Sequence, residues 1–231
     1  MELSMTTLIG SGILLLLSLT TPLFSTIRRR PSMPSDDTSE SAVSDVSALP
    51  RLTIILTPQG NSRQLDEHLP LYLTQDYPPG YEIIVVSSLT DSGIDDVLKR
   101  YRSHAHLHTT FIPSTTRYMS HRKLAITLGV KASTSDWVLL CDPGCKPISQ
   151  HWLLSLAREC HPHRSMVLGY VRYGSEAPSY YHFERFYTTM YLFRESLNHI
   201  PYRTNCPLLL FRKSMFMEGN GYQGDLKYTI G

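Results

Sequence analysis

Three short, nearly continuous apolar runs, separated by stretches of helical periodicity, constrain this chain more than any other feature. They are residues 52–57 (LTIILT), 81–87 (YEIIVVS) and 136–141 (DWVLLC). Such runs, rich in aliphatic residues and with little polar alternation, belong to strands buried on both faces, and parallel sheets covered by helices supply that environment. A fourth strand is expected over residues 107–112. Between the first two, Leu65, Leu69, Tyr72 and Leu73 recur at helical spacing after an Asn61-Ser62 start signal, with Pro70 placed to bend or interrupt the helix. Thr90 is positioned to cap a helix whose face is Ile94, Val97, Leu98 and Tyr101. Ala125, Leu128, Gly129 and Ala132 define a helix with small residues suited to close packing on a sheet. Ser149 is positioned to cap one with Trp152, Leu153, Leu156, Ala157 and Cys160 inward. The pattern predicts an α/β fold: a mostly parallel sheet with helices on both faces.

Such a sheet binds ligands outside the carboxyl ends of its strands. The informative loops are therefore Pro58-Gln59-Gly60-Asn61, Ser88-Leu89-Thr90-Asp91 and Asp142-Pro143-Gly144-Cys145-Lys146-Pro147. None contains the glycine spacing of a dinucleotide-binding turn or a P-loop, and those two readings fall away.

The chain has 231 residues, room for one sizeable domain, and its first 50 do not belong to the alternating pattern. Residues 7–24 (TLIGSGILLLLSLTTPLF) are 18 without a charge, followed by Arg28-Arg29-Arg30. This predicts one N-terminal transmembrane helix with its basic flank in the cytoplasm. A cleaved signal peptide is the alternative, but the basic n-region it needs is missing, since Glu2 is the one charge before the run. Residues 31–49 hold six serines, four acids and no base, the composition of a flexible linker. The expected organisation is an anchor and basic flank over 1–30, a linker over 31–49 and a folded domain over 50–231. Of the charges, 19 bases and 15 acids fall after residue 50, a mild excess that suits an anionic ligand but leaves no nucleic-acid footprint.

The pieces LTIILTPQGN, LPLYLTQDYP, YEIIVVSSLTDSG, SHRKLAITLGVKA and DWVLLCDPGCKP follow one another in an order that resembles the family-2 glycosyltransferases of GT-A fold. The resemblance covers residues 50–231 and looks most like a bacterial, membrane-tethered branch of that family. It implies a Rossmann-like sheet and inverting transfer of a sugar from a nucleotide-diphospho-sugar donor. The acceptor would be a glycan or lipid-linked molecule in cell-surface polysaccharide assembly, at the inner (cytoplasmic) membrane. It also implies a donor site built from Thr57, Pro58, Asn61, Asp91, Lys123 and Asp142, with Lys123 where a basic residue commonly meets the donor's phosphates or base.

The departing nucleoside diphosphate builds negative charge that a divalent cation or basic groups must meet. The family holds Mg²⁺ or Mn²⁺ with an Asp-x-Asp, aligned on Asp142-Pro143-Gly144; Asp142 matches and Gly144 does not. Two readings follow, a transferase with altered metal use or a degenerate, non-catalytic domain that binds nucleotide or protein. RTNCPLLLFRKSMFMEGNGY is similar to the segment before the family's catalytic acid, so that acid is expected beyond Gly231, with the chain cut there; Glu218 and Asp225 do not occupy the matching position. On the acceptor side, Asn205 hydrogen-bonds a hydroxyl or simply orders a loop. A nucleotidyltransferase is a more distant alternative that lacks its glycine-rich basic loop, since PQGN has one glycine and no Lys.

Three further groupings carry bland readings. Cys141, Cys145, Cys160, His161 and His163 lack zinc-site spacing and read as buried or loop residues. His104, His106 and His108 alternate as on an exposed sheet edge. Tyr180, Phe183, Tyr187 and Tyr191 form a helical stripe whose default is packing against the domain, with an acceptor- or membrane-facing surface as the alternative.

Overall fold

The computed structural model describes residues 5–24, 49–113, 120–197 and 207–225. By its internal contacts the chain divides into two units, one of residues 1–37 and 172–205 and one of 38–171 and 206–231.

The second unit is a six-stranded sheet: β1 (Leu52–Leu56), β2 (Tyr81–Ser88), β3 (Leu107–Ile112), β4 (Trp137–Cys141), β5 (Met166–Leu168) and β6 (Leu208–Arg212). Their spatial order is β3-β2-β1-β4-β6-β5. The first four strands run parallel to one another, and β6 lies antiparallel to both β4 and β5. The alternating segments therefore build a mostly parallel α/β sheet as the periodicity predicts.

β1 is central, and all five of its residues are buried. Its alternate residues serve opposite faces. Leu52, Ile54 and Leu56 pack with Leu65, Leu69 and Tyr72 of α2 (Ser62–Leu73), Ile94 and Val97 of α3 (Ser92–Tyr101) and Leu153 of α5 (Trp152–Ala157). Ile55 packs on the other side with Ala125, Ile126 and Val130 of α4 (His121–Ala132), and Met215 and Phe216 of α7 (Lys213–Glu218) border that layer. The two apolar layers hold the sheet between helices, and burial of this area is the main favourable term in folding.

Local details depart from the sequence expectations. Pro70 does not interrupt α2, which runs on to Leu73. Asp91 rather than Thr90 caps α3, since its carboxylate reaches the Ile94 N–H at 3.2 Å while Thr90 turns to the Ser88 hydroxyl at 2.8 Å. Ser149 accepts the Trp152 N–H through its carbonyl at 3.3 Å, and α5 begins with no side-chain cap. Of the three alternating histidines only His108 lies within β3. His106 precedes it, bonds the Tyr81 carbonyl at 3.0 Å and stacks on the Tyr81 ring at 4.7 Å, so local contacts rather than strand alternation place it.

Glu82 is buried on β2 with three donors on its Oε1: the Thr53 hydroxyl at 2.6 Å, the Thr134 N–H at 2.7 Å and the Thr134 hydroxyl at 2.9 Å. Burial raises the carboxyl's pKa, but these bonds and nearby His108 outweigh it and leave the group below its ordinary value.

Within the first unit, α1 (Met5–Phe24) is one helix of 20 residues, with Leu14, Leu15, Leu16 and Leu17 exposed. Among the described residues no helix is long and apolar enough to cross a membrane. The expected transmembrane helix is thus not found among the described residues. α6 (Ser179–Leu197) carries the aromatic stripe. Leu192 is buried, and Tyr180, Phe183, Tyr187 and Tyr191 are exposed. Every turn of α6 from Tyr180 to Phe193 bears aromatics, so its aromatic surface is wider than one buried stripe.

Candidate functional site

Two adjoining cavities open at the carboxyl ends of β1, β2 and β4, where a parallel sheet places its ligands. The larger, of about 430 Å³, is lined by Pro58, Gly60, Ser88, Thr90, Asp91 and His121, among others. The smaller, of about 190 Å³, is lined by Thr57, Gln59, Asn61, Gln64, Arg122, Asp142 and Pro143. Gln59 borders both.

The loop after β1 turns at Gly60, whose φ of 68° favours glycine. Its N–H is held by Asp91 Oδ2 at 3.1 Å, while Asp91 Oδ1 caps α3. Asp91 therefore lines the larger cavity, yet each of its carboxylate oxygens already accepts a backbone N–H: it ties the first and second loops together. Asn61 caps α2 through the Gln64 N–H at 3.4 Å, and its amide donates a short hydrogen bond to Gln64 Oε1.

The Asp142 loop is fixed from below by α2. His68 Nδ1 meets the Pro143 carbonyl at 2.9 Å, and the Tyr72 hydroxyl donates to the Cys145 carbonyl at 2.7 Å. Tyr72 also lies 3.0 Å from Cys141 Sγ. Burial, with Cys141 adding to it, drives the Tyr72 pKa far up, which keeps the hydroxyl a donor. Cys141 is likewise raised, by its hydrogen bond with Cys145 and by burial, so it stays a neutral thiol. Gln64, His68 and Tyr72 recur every fourth residue, one row along α2. Cys160 is separate from this row; burial pushes its thiol up to about 12.

Of the residues expected to hold a donor, Thr57, Asn61 and Asp142 share the smaller cavity, and Pro58 and Asp91 the larger. Lys123 lines neither. It is buried on α4, its ammonium 5.9 Å from the Tyr222 ring centroid. Its neighbour Arg122 is exposed and lines the smaller cavity with Asp142. Sequence reading missed Arg122 because adjacent residues on a helix point about 100° apart and spacing alone does not fix which one faces the cleft. It also missed Gln64 and His68, although their spacing with Tyr72 was visible. Asn205 lies outside the described residues. Glu218 is exposed at the end of α7.

A resident Mg²⁺ or Mn²⁺ needs several hard oxygen ligands. Asp142 is the one carboxylate among the described residues lining the smaller cavity, and its Oδ1 already accepts the Gly144 N–H at 2.9 Å. A β-carbon at Gly144 would stand 3.1 Å from that oxygen and 3.3 Å from Gln64 Oε1, so a neutral amide occupies the surroundings of the missing carboxylate. No group of three His, Cys, Asp or Glu suited to a metal occurs among the described residues. The donor set does not fit a resident divalent ion.

No protein-family model and no curated protein matches the chain. Solved structures do. One is the mannosyltransferase PcManGT from Pyrobaculum calidifontis in complex with GDP-Man and Mn²⁺, with a TM-score of 0.58, 20% identity, and coverage of 78% of this chain and 50% of that one. Another is S. aureus TarS 1-349, with a TM-score of 0.54, 18% identity, and coverage of 74% and 49%. The same TarS fragment in complex with UDP gives 0.52 at 18% identity, covering 74% and 49%. The chain spans about half the length of these structures, and it has the fold of these glycosyltransferases.

Proposed function

We propose that the chain is a glycosyltransferase that takes a sugar from a nucleotide-diphospho-sugar donor. The observation that carries this reading is the paired cavity at the sheet's carboxyl edge, with one pocket bordered by hydroxyls and the next by Arg122 and Asp142. A nucleoside suits the larger pocket, whose Ser88 and Thr90 hydroxyls offer donors and acceptors for ribose or base. The diphosphate then falls in the smaller pocket, beside the Arg122 guanidinium and the polar side chains of Thr57, Asn61 and Gln64. The fold shared with proteins solved with GDP-Man and with UDP supports the same placement.

Transfer would break the bond between the anomeric carbon and the β-phosphate oxygen. The electron pair leaves with the nucleoside diphosphate, where a cationic group lowers the cost of the developing charge. A glycan or lipid-linked hydroxyl oxygen bonds the anomeric carbon from the opposite face and inverts that centre, its proton passing to a carboxylate base or to water, with Asn205 among the residues proposed to meet the acceptor. α1, with its exposed leucines, is the proposed contact with the inner membrane, which would set the transferase-like domain in the cytoplasm.

Gly144 favours a second reading, in which the fold is retained for binding and transfer has been lost. Titration of the full chain with UDP, GDP, CDP, ADP and dTDP, followed by a transfer assay with the sugar of whichever nucleotide binds, tests both. Binding with turnover supports the first reading and binding without turnover the second. Folded protein that binds none of the five would refute the donor site.

A further inference from the structure

Resting on the reading of the cleft as a donor site, we propose that it holds a nucleoside diphosphate without a divalent cation, the Arg122 guanidinium supplying the positive charge that meets the phosphates. Two independent features of the cleft lead there.

The first is the weakness of the acidic half. Among the described residues Asp142 has no carboxylate partner in the cavity, and its Oδ1 is bonded within its own loop to the Gly144 N–H at 2.9 Å. The space beside Gly144 is flanked by Gln64 Oε1, which is neutral and already accepts from Asn61. A single carboxylate and an engaged amide attract a divalent ion far less than two carboxylates do.

The second is an unspent cation. Arg122 lies on the wall of the same cavity, and among the described residues its guanidinium forms no ion pair or hydrogen bond. By contrast, Arg212 is bound by Asp136 at 2.8 Å and by the Arg164 carbonyl at 3.1 Å, as arginines used for structure are. A guanidinium at a polar cleft presents five N–H donors in a planar fork that matches two phosphate oxygens at once.

The two schemes assign Asp142 opposite signs of effect. If a metal bridges protein and phosphate, Asp142 is indispensable. If Arg122 meets the phosphates directly, the Asp142 carboxylate is a like charge beside the ligand and its effect is repulsive. Asparagine at 142 retains an acceptor for the Gly144 N–H while removing the charge, so the loop keeps its turn.

The experiment is calorimetric titration of the full chain in detergent with the nucleoside diphosphate that binds in the panel above, in EDTA and in excess Mn²⁺. The expected Kd values in the two conditions agree within about threefold. Arg122→Ala weakens binding in EDTA about tenfold or more, and Arg122→Lys falls between, because a point charge replaces a fork. Asp142→Asn binds in EDTA as tightly as the parent or tighter. Arg122 is exposed and has no ion pair or hydrogen bond among the described residues, so an unchanged thermal midpoint certifies that its variants are folded. Binding that requires Mn²⁺, or that disappears in Asp142→Asn, overturns the proposal while leaving the donor-site reading standing. Absence of binding in both conditions removes the donor-site reading itself.

Discussion

Gly129→Ala sets two opposed effects against each other on the element that carries Arg122. In a helix interior alanine is favoured over glycine by about 1 kcal/mol, so propensity alone makes the variant more stable. The tertiary contact acts the other way. A β-carbon at Gly129 would stand 2.7 Å from Ile55 Cγ2, 3.1 Å from Cδ1 and 3.3 Å from Cγ1. Carbons rest at about 3.5–4.0 Å, so the closest pair overlaps by roughly 1 Å. Ile55 has little freedom to yield: it is 0% exposed, stiff at χ1, and lies on the central strand between Ile84 and Leu140. α4 must therefore retreat from the sheet, and overpacking of this kind costs about 1–3 kcal/mol. Taking the middle of that range, the net is a loss of about 1 kcal/mol. Urea unfolding followed by tryptophan fluorescence measures it, since Trp137 is buried on β4 next to β1. In a cycle with Ile55→Ala, which removes the contacted methyl, the double variant should be more stable than additivity requires by at least about 1 kcal/mol. A Gly129→Ala protein that is more stable than the parent, with no coupling to Ile55, refutes the close approach of α4 to β1.

Other expectations follow from the bonds around the site. Tyr72→Phe removes the donor to the Cys145 carbonyl and should lower stability by about 1 kcal/mol in denaturant melts; an unchanged midpoint would mean that the hydroxyl does not pin the Asp142 loop. Glu82 has a pKa below the ordinary glutamate value of about 4.3, so its contribution is present above that pH and is lost as pH falls through the folded value. Urea midpoints should accordingly drop on acidification below about pH 4.3, and Glu82→Gln should flatten that drop; equal slopes would remove Glu82 as its source. In Gly144→Asp the new β-carbon would stand 3.1 Å from Asp142 Oδ1 and 3.3 Å from Gln64 Oε1, and the second carboxylate should make nucleotide affinity rise with Mn²⁺. If Mn²⁺ has no effect on that variant, the Asp142 loop does not border the phosphates.

The legible part of this protein was its periodicity. Runs such as LTIILT and YEIIVVS specify buried strands because a residue flanked by helices on both faces has no polar side to show, and β1, β2 and β4 form where those runs stand. The edge on which the cavities open was legible for the same reason, since a parallel sheet gathers its carboxyl-end loops there. Less visible was the contribution of β6, which enters antiparallel beside β4 and brings Pro207 to the Asp142 N–H at 3.0 Å. Nothing in LLLFR distinguishes the direction in which such a strand will pair.

Sequence alone therefore determined the α/β layering and the edge on which the cavities open, because both follow from local period and from the hand of the chain. Only the tertiary structure decided which charges meet in the cleft. Arg122 and Lys123 are adjacent and equally basic, yet one lines the cavity with Asp142 and the other is buried near Tyr222. Likewise Gln64 reaches the space beside Gly144 only because α2 packs across the β4 loop, with His68 and Tyr72 holding that loop's carbonyls. Period is a property of one helix; phase toward a site is set by what the helix packs against.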